Sequence, residues 1–224
     1  KNAIAYDINA ACSGFIYGLW NAEALMKIHG IKRALVIGVE RLSRITNWED
    51  RGTCILFGDG AGCAVLELSE SKTGIISSFV KNYDDVADSL IVDIQYPKTP
   101  FSDDGTKDPY IQMNGSQVFR FAVGAIGEAM DSVLQKAGIK PDDVAYYVPH
   151  QANMRIIQSA AQRMKQPIEK FQVNIRTSGN VSAASIPMAL SDLMKSGKVR
   201  SGDKIMLVGF GGGLTAGAIL FEAI

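Results

Sequence analysis

What this chain lacks narrows its function first. It carries no net charge, 23 basic side chains against 23 acidic, and no run of lysine or arginine, which argues against an extended nucleic-acid surface. No apolar stretch reaches the roughly 18 uninterrupted residues that a membrane-spanning helix needs. Cysteine is sparse, three residues at positions 12, 54 and 63. They show no Cys-x-x-Cys spacing and cannot all pair, so they read as thiols in a reducing cytoplasm. With only two histidines, His29 and His150, there is little basis for a zinc site. Lys1 and Asn2 run straight into an apolar pattern, and the expectation is a fragment whose earlier elements are missing.

What is present reads as a globular α/β chain. With 224 residues, 47% hydrophobic and 21% charged, it can bury a large core in one or two domains. Ala3 to Ile8 reads as a buried strand. Ser13 to His29 reads as a helix ended by Gly30, and Ala34 to Val39 as a strand in a sheet covered on both faces. Cys54 to Phe57 and Cys63 to Leu68 flank the Gly58–Gly62 turn and read as a hairpin. Ile75 to Val80 adds a strand. Asn82 to Pro109, rich in Asp, Pro and Ser, reads as a long excursion holding one strand at Leu90 to Ile94. Gly115 to Ala137 is an amphipathic helix closed by Gly138. A strand (Ala145 to Val148), a helix (Met154 to Met164), a short strand (Phe171 to Asn174) and a helix (Ala183 to Lys195) follow. A final strand pair spans Lys204 to Val208 and Thr215 to Phe221. The stretch from Leu56 to Leu66 echoes that from Val208 to Leu220, each a strand, a glycine turn and a strand, as two similar halves would produce.

Three residues are candidates for chemistry. Cys12 lies between a strand and the first turn of a helix, where the positive helix end favours thiolate; the alternative is a buried inert thiol. Cys54 and Cys63 lie within strand patterns and read as inert. His150 ends a strand, where α/β folds place reactive groups; it can activate a thiol, hydrogen-bond a carbonyl oxygen or merely cap a turn. Asn180 precedes a helix and serves either as a turn residue or as a donor to a developing oxyanion. Gly211 to Ala216 matches G-x-G-x-x-A, but too little chain follows for a crossover helix, so a dinucleotide site fails. Its backbone N–H groups can still serve an oxyanion hole. The Gly58–Gly62 loop lacks a phosphate-binding lysine and reads as a plain turn.

Together the segments Ala10-Ala11-Cys12-Ser13-Gly14-Phe15, Val148-Pro149-His150-Gln151-Ala152-Asn153 and Gly179-Asn180-Val181-Ser182-Ala183-Ala184-Ser185 resemble the Cys, His and Asn motifs of the β-ketoacyl-acyl-carrier-protein synthase III family. Asp50-Arg51-Gly52-Thr53, Leu56 to Gly62 and Phe210-Gly211-Gly212-Gly213 are similar to further segments of it. The resemblance implies a thiolase-like α/β fold of two similar halves: the remainder of an incomplete N-terminal half over 1–109, carrying the nucleophile, and a C-terminal half over 110–224, carrying His and Asn. It implies decarboxylative condensation of an acyl-CoA with malonyl-acyl-carrier-protein, without cofactor or metal, through Cys12, His150 and Asn180. Backbone N–H groups of Cys12 and Gly212 form the implied oxyanion hole. Arg51, Leu42, Phe57, Asn153 and Phe210 correspond to substrate-binding positions, and Arg120, Arg155 and Arg163 to carrier-protein docking positions. Gln162 stands where many members are basic, and Val181 replaces a commoner threonine. A cytoplasmic homodimer is implied, with a separate chain as one source of the missing N-terminal part. A related condensing enzyme of specialised metabolism and a catalytically incomplete, partner-binding fragment are the competing readings.

Overall fold

Two cores on opposite faces of one sheet organise the chain, whose computed structural model describes residues 3–70, 74–85, 88–92 and 108–224. In chain order the elements are α1 (Gly14–His29), β1 (Arg33–Arg41), β2 (Asp59–Glu67), β3 (Ile75–Asn82), β4 (Leu90–Val92), β5 (Ile111–Met113) and α2 (Gly115–Ala137). There follow β6 (Tyr146–Pro149), α3 (Met154–Met164), α4 (Ile175–Ser178), α5 (Ser185–Lys195), β7 (Lys204–Gly211) and β8 (Thr215–Glu222). The main sheet has the order β3-β8-β7-β6, with β6 parallel to β7 and the other pairs antiparallel. Alternation along β7 divides its side chains between the cores. Met206, Val208 and Phe210 face α2 and α3, whereas Ile205 and Leu207 face α1 and α5. Helices on both faces explain why β7 reads as an unbroken apolar run.

The helix ends follow from local chemistry. Gly30 and Gly138 take φ of 64° and 67° and close left-handed caps after α1 and α2. Asn114 and Asn153 accept from the first-turn N–H groups of α2 and α3. Among the described residues no helix is long and apolar enough to cross a membrane.

Strand expectations fared less evenly. Ala3 to Ile8 forms no strand and is exposed, with Ile4 82% accessible, because no described strand pairs with its backbone. β1 is covered on one face only: Leu35, Ile37 and Val39 point away from α1 and α5 and stay exposed. The expected hairpin at Gly58–Gly62 does not exist. Residues 51–56 form turns, and the glycines run into β2, which pairs antiparallel with β1 from Arg41↔Asp59 to Arg33↔Glu67. Phe171 makes a single bridge to Tyr147 in place of a strand. Leu90–Val92 pairs with Ile111–Met113, a partner the sequence reading missed, and residues 93–94 lie outside the described ones.

The repetition lies deeper than the glycine echo. Asn9-Ala10-Ala11-Cys12 and Asn180-Val181-Ser182-Ala183 form the same turn. Asn9 Oδ1 accepts from Ala11 N–H at 3.1 Å and Asn180 Oδ1 from Ser182 N–H at 2.9 Å. Ala11 and Ser182 share a positive φ, 45° and 43°. Each turn then opens a helix, α1 or α5.

Each turn also lies against a cross-strand glycine pair, Gly38↔Gly62 in β1–β2 and Gly209↔Gly217 in β7–β8. A Cβ on Gly38 would sit 2.6 Å from Ala183 O, and one on Gly62 2.9 Å from Pro187 Cβ. In the equivalent places, a Cβ on Gly209 would lie 3.5 Å from Cys12 O and one on Gly217 2.8 Å from Ile16 Cγ2. At Gly38 the strand backbone packs directly on the Ala183–Ala184 backbone, whereas at Gly209 and Gly217 the nearest neighbours are isoleucine side chains. Gly38→Ala is therefore expected to destabilise the fold by about 1–3 kcal/mol, the usual cost of overpacking. Gly124→Ala, with nothing within 4 Å of the added carbon, should not; urea denaturation of the two variants compares them.

Candidate active site

Cys12 sits on the short turn Ala11–Ser13 that leads into α1, and the turn is held from three sides. Ser13 N–H donates to Ala10 O, Ser13 Oγ to Thr215 O, and Thr215 Oγ1 to Ala10 O. A Cβ on Gly211 would lie 2.6 Å from Cys12 Cβ, so the glycine lets the β7 end press against the nucleophile turn. The backbone N–H groups of Gly212 and of Cys12 itself both act on the sulfur. A positive φ at Ala11 costs on the order of 1–3 kcal/mol, accepted where surrounding packing fixes the conformation.

The expectation of a thiolate favoured by the helix end is overturned. Burial pushes the Cys12 thiol up to about 11, and the negative charge of Glu40 adds to the rise. The Ser182 side chain and the Gly212 and Cys12 N–H groups oppose it without cancelling it. Desolvation of a buried sulfur anion outweighs the partial charge of a helix terminus.

His150 follows the C-terminal end of β6, where its N–H donates to Val208 O at 2.8 Å. Its ring is fully buried and packs edge-on to Phe210, with ring centres 5.2 Å apart. Nδ1 lies 2.6 Å from Ser185 Oγ. Burial lowers its basicity to about 3, so the ring is neutral at neutral pH. The adjacent Gln151 anchors this corner: its amide donates to Pro149 O and Gln172 O, and its Oε1 accepts from Asn174 and Ile175 N–H. Asn180 is buried, and because Oδ1 is occupied by Ser182 N–H, its Nδ2 group is the end free to donate elsewhere.

Cys12, His150 and Asn180 border one cavity, together with Phe57, Asn153 and Phe210. Residues the sequence reading missed complete it: Leu90, Met113, Val118, Phe119 and Ile156. Val118 and Phe119 begin α2, whose apolar stripe gave no sign of which residues would face a ligand. Leu42 is buried beside β1 and Arg51 lies exposed on a turn; neither is among the cavity's lining residues. Arg120 is exposed on the second turn of α2 and Arg155 on the first turn of α3, close in sequence to the lining residues Phe119 and Ile156. Arg163 folds back over Gly127 and pairs with Asp131 at 2.6 Å. Cys54 is half-buried in a turn, and Cys63 is exposed on β2.

A mixed α/β fold in which a thiol, an imidazole and an amide border one cavity points to the class of thiolase-fold condensing enzymes. Comparison with known proteins narrows the class. Residues 6–83 match the model of 3-oxoacyl-[acyl-carrier-protein] synthase III, and residues 134–223 that of its C-terminal region. The beta-ketoacyl-[acyl-carrier-protein] synthase III of Clostridium beijerinckii is 48% identical over 99% of this chain and 69% of that protein. The crystal structure of the Aquifex aeolicus synthase superimposes with a TM-score of 0.91 at 44% identity, covering all of this chain and 68% of that one. That of Thermus thermophilus gives 0.91 at 40% identity over 99% and 68%. The chain belongs to the 3-oxoacyl-[acyl-carrier-protein] synthase III family.

Burial favours the protonated Cys12 thiol at neutral pH. Its alkylation by iodoacetamide should accelerate about tenfold per pH unit and show no plateau below about pH 9. A plateau near pH 7, followed by mass spectrometry of the Cys12 peptide, would contradict the burial argument.

Proposed function

We propose that this chain catalyses the condensation of an acyl-CoA starter with malonyl-acyl-carrier-protein, with Cys12 as nucleophile and His150 and Asn180 as donors to the thioester oxygen. The observation that carries the reading is the convergence of these three side chains on one cavity. Family membership supports the reaction class.

In the first half-reaction the Cys12 sulfur attacks the acyl-CoA carbonyl, and the thiol proton ends on the departing CoA sulfur. We assign the Cys12 and Gly212 N–H groups, which lower the Cys12 thiol, to the tetrahedral oxyanion. In the second, the bond from the malonyl carbon to its carboxylate breaks and carbon dioxide leaves. The electron pair passes onto the thioester oxygen, where the Asn180 amide and the His150 ring donate hydrogen bonds. The enolate carbon then attacks the acyl-Cys12 carbonyl and the acyl carbon–sulfur bond breaks. The β-ketoacyl group stays on the carrier-protein thioester, and Cys12 leaves as thiolate and regains its proton from solvent. A neutral ring suits this role, since it stabilises the developing charge without giving up a proton.

No metal or redox cofactor enters these steps, and acyl-CoA enters as substrate. Arg120 and Arg155 are the exposed cations we assign to steering the acidic carrier protein. Arg163, already paired with Asp131, is the weakest of the three. We further assign Arg51 to the nucleotide end of CoA and Leu42 to support of the acyl pocket. A cytoplasmic homodimer completes the proposal, as does a segment, on this polypeptide or another, that supplies further CoA contacts.

Intact mass after incubation with short straight and branched acyl-CoA esters tests the first step. An acyl-sized gain is expected on the wild type and none on Cys12→Ala. Asn180→Ala should still acylate while condensation with malonyl-acyl-carrier-protein falls about 10²–10³-fold, the usual effect of removing one oxyanion donor. Absence of any gain across the panel would favour the partner-binding reading.

A further inference from the structure

We propose that Ser185 is a positioning residue that donates its hydroxyl hydrogen to Nδ1 of His150 and thereby fixes the ring with its own hydrogen on Nε2. This deepens, and rests on, the donor role given to His150 above.

Ser185 is the first residue of α5 and is fully buried. Its Oγ has two acceptors in reach, His150 Nδ1 at 2.6 Å and Ser182 O at 2.7 Å, and one hydrogen to give. With His150 donating from Nε2, the hydroxyl's one hydrogen goes to the acceptor that has no other donor. Ser182 O already accepts the backbone N–H of Ser185, which closes the short turn Ser182–Ala184. Among the described residues, Ser185 is the hydrogen-bond partner of the His150 ring nitrogens.

A ring that donates from Nε2 and stays neutral must present Nδ1 as a bare acceptor. A buried ring nitrogen without a donor costs about 1–3 kcal/mol. Turning the hydroxyl from Ser182 O to Nδ1 removes that cost and leaves the carbonyl paired. With Nδ1 so held, Nε2–H is the end of the ring left to meet the thioester oxygen in the cavity.

The same turn holds the site's other donor: Ser182 N–H donates to Asn180 Oδ1. The stretch from Asn180 to Ser185 thus orients amide and ring together.

The histidine content makes the test direct. With only His29 and His150 present, ¹⁵N-histidine labelling of the full chain gives two imidazoles, told apart by a His29→Gln variant. The expected spectrum has the pyrrole-type nitrogen of His150 at Nε2 and the pyridine-type nitrogen at Nδ1. Ser185→Ala should slow condensation at least about tenfold more than acylation of Cys12, and Ser185→Thr, which keeps the hydroxyl, should recover most of it.

A wild-type His150 protonated at Nδ1 overturns the proposal, as does Ser185→Ala condensing at the wild-type rate. The wild-type spectrum decides the matter even where a variant fails to fold. It is also independent of turnover, so a chain that does not condense at all sinks the functional reading while the tautomer is still read.

Discussion

The close approach of two backbone turns to two glycine pairs is the constraint from which the rest of this molecule follows. The turns at Asn9–Cys12 and Asn180–Ala183 are the same device, an asparagine side chain closing on the second N–H ahead. Each is packed where a side chain on the facing strand would collide: Gly38 beneath Ala183, Gly211 beneath Cys12. Any residue larger than glycine there pushes a turn outward and opens the cavity. The two copies have diverged in what they carry. Where one turn holds the sulfur, the other holds an alanine. Where one asparagine is buried beside the cavity, the other is exposed and only caps its turn.

Burial then sets the electrostatic character of the site. Desolvation raises the thiol and lowers the imidazole, so both resting groups are neutral. A thiolate–imidazolium pair is therefore not the ground state. Charge is expected only as bonds change, and the same dry surroundings that disfavour it beforehand strengthen the N–H donors aimed at it. The supporting hydrogen bonds are local and fully used. Gln151 spends its donors and acceptors on four backbone groups around the His150 corner.

The exposed face of β1 and β2 marks a second consequence of the architecture. The main sheet is covered by helices on both sides, whereas Leu35, Ile37, Val39 and Val65 face outward on the two-stranded sheet. The relatives are longer than this chain, which spans 69% of the Clostridium beijerinckii protein. Continuous hydrophobicity in β1 misled the sequence reading about local burial, because strand composition records what a face can tolerate and not what lies over it in a given chain.

Elements whose cause is local were legible from the residues: α1 and α2 with their glycine caps, α3 with its asparagine cap, and the β7–β8 hairpin. Cys12, His150 and Asn180 were legible singly as candidates at element boundaries, and as a set only through the resemblance of their motifs to a known family. What only the tertiary structure decided depended on contacts distant in sequence. The glycines from Gly58 to Gly62 looked like a turn, because nothing nearby shows that Pro187 and Met188 press on them inside a strand. Met113 gave no sign of reaching the cavity. The state of the thiol was misread because a helix terminus is visible in sequence, while the desolvation that outweighs it exists only after the chain has folded around the sulfur.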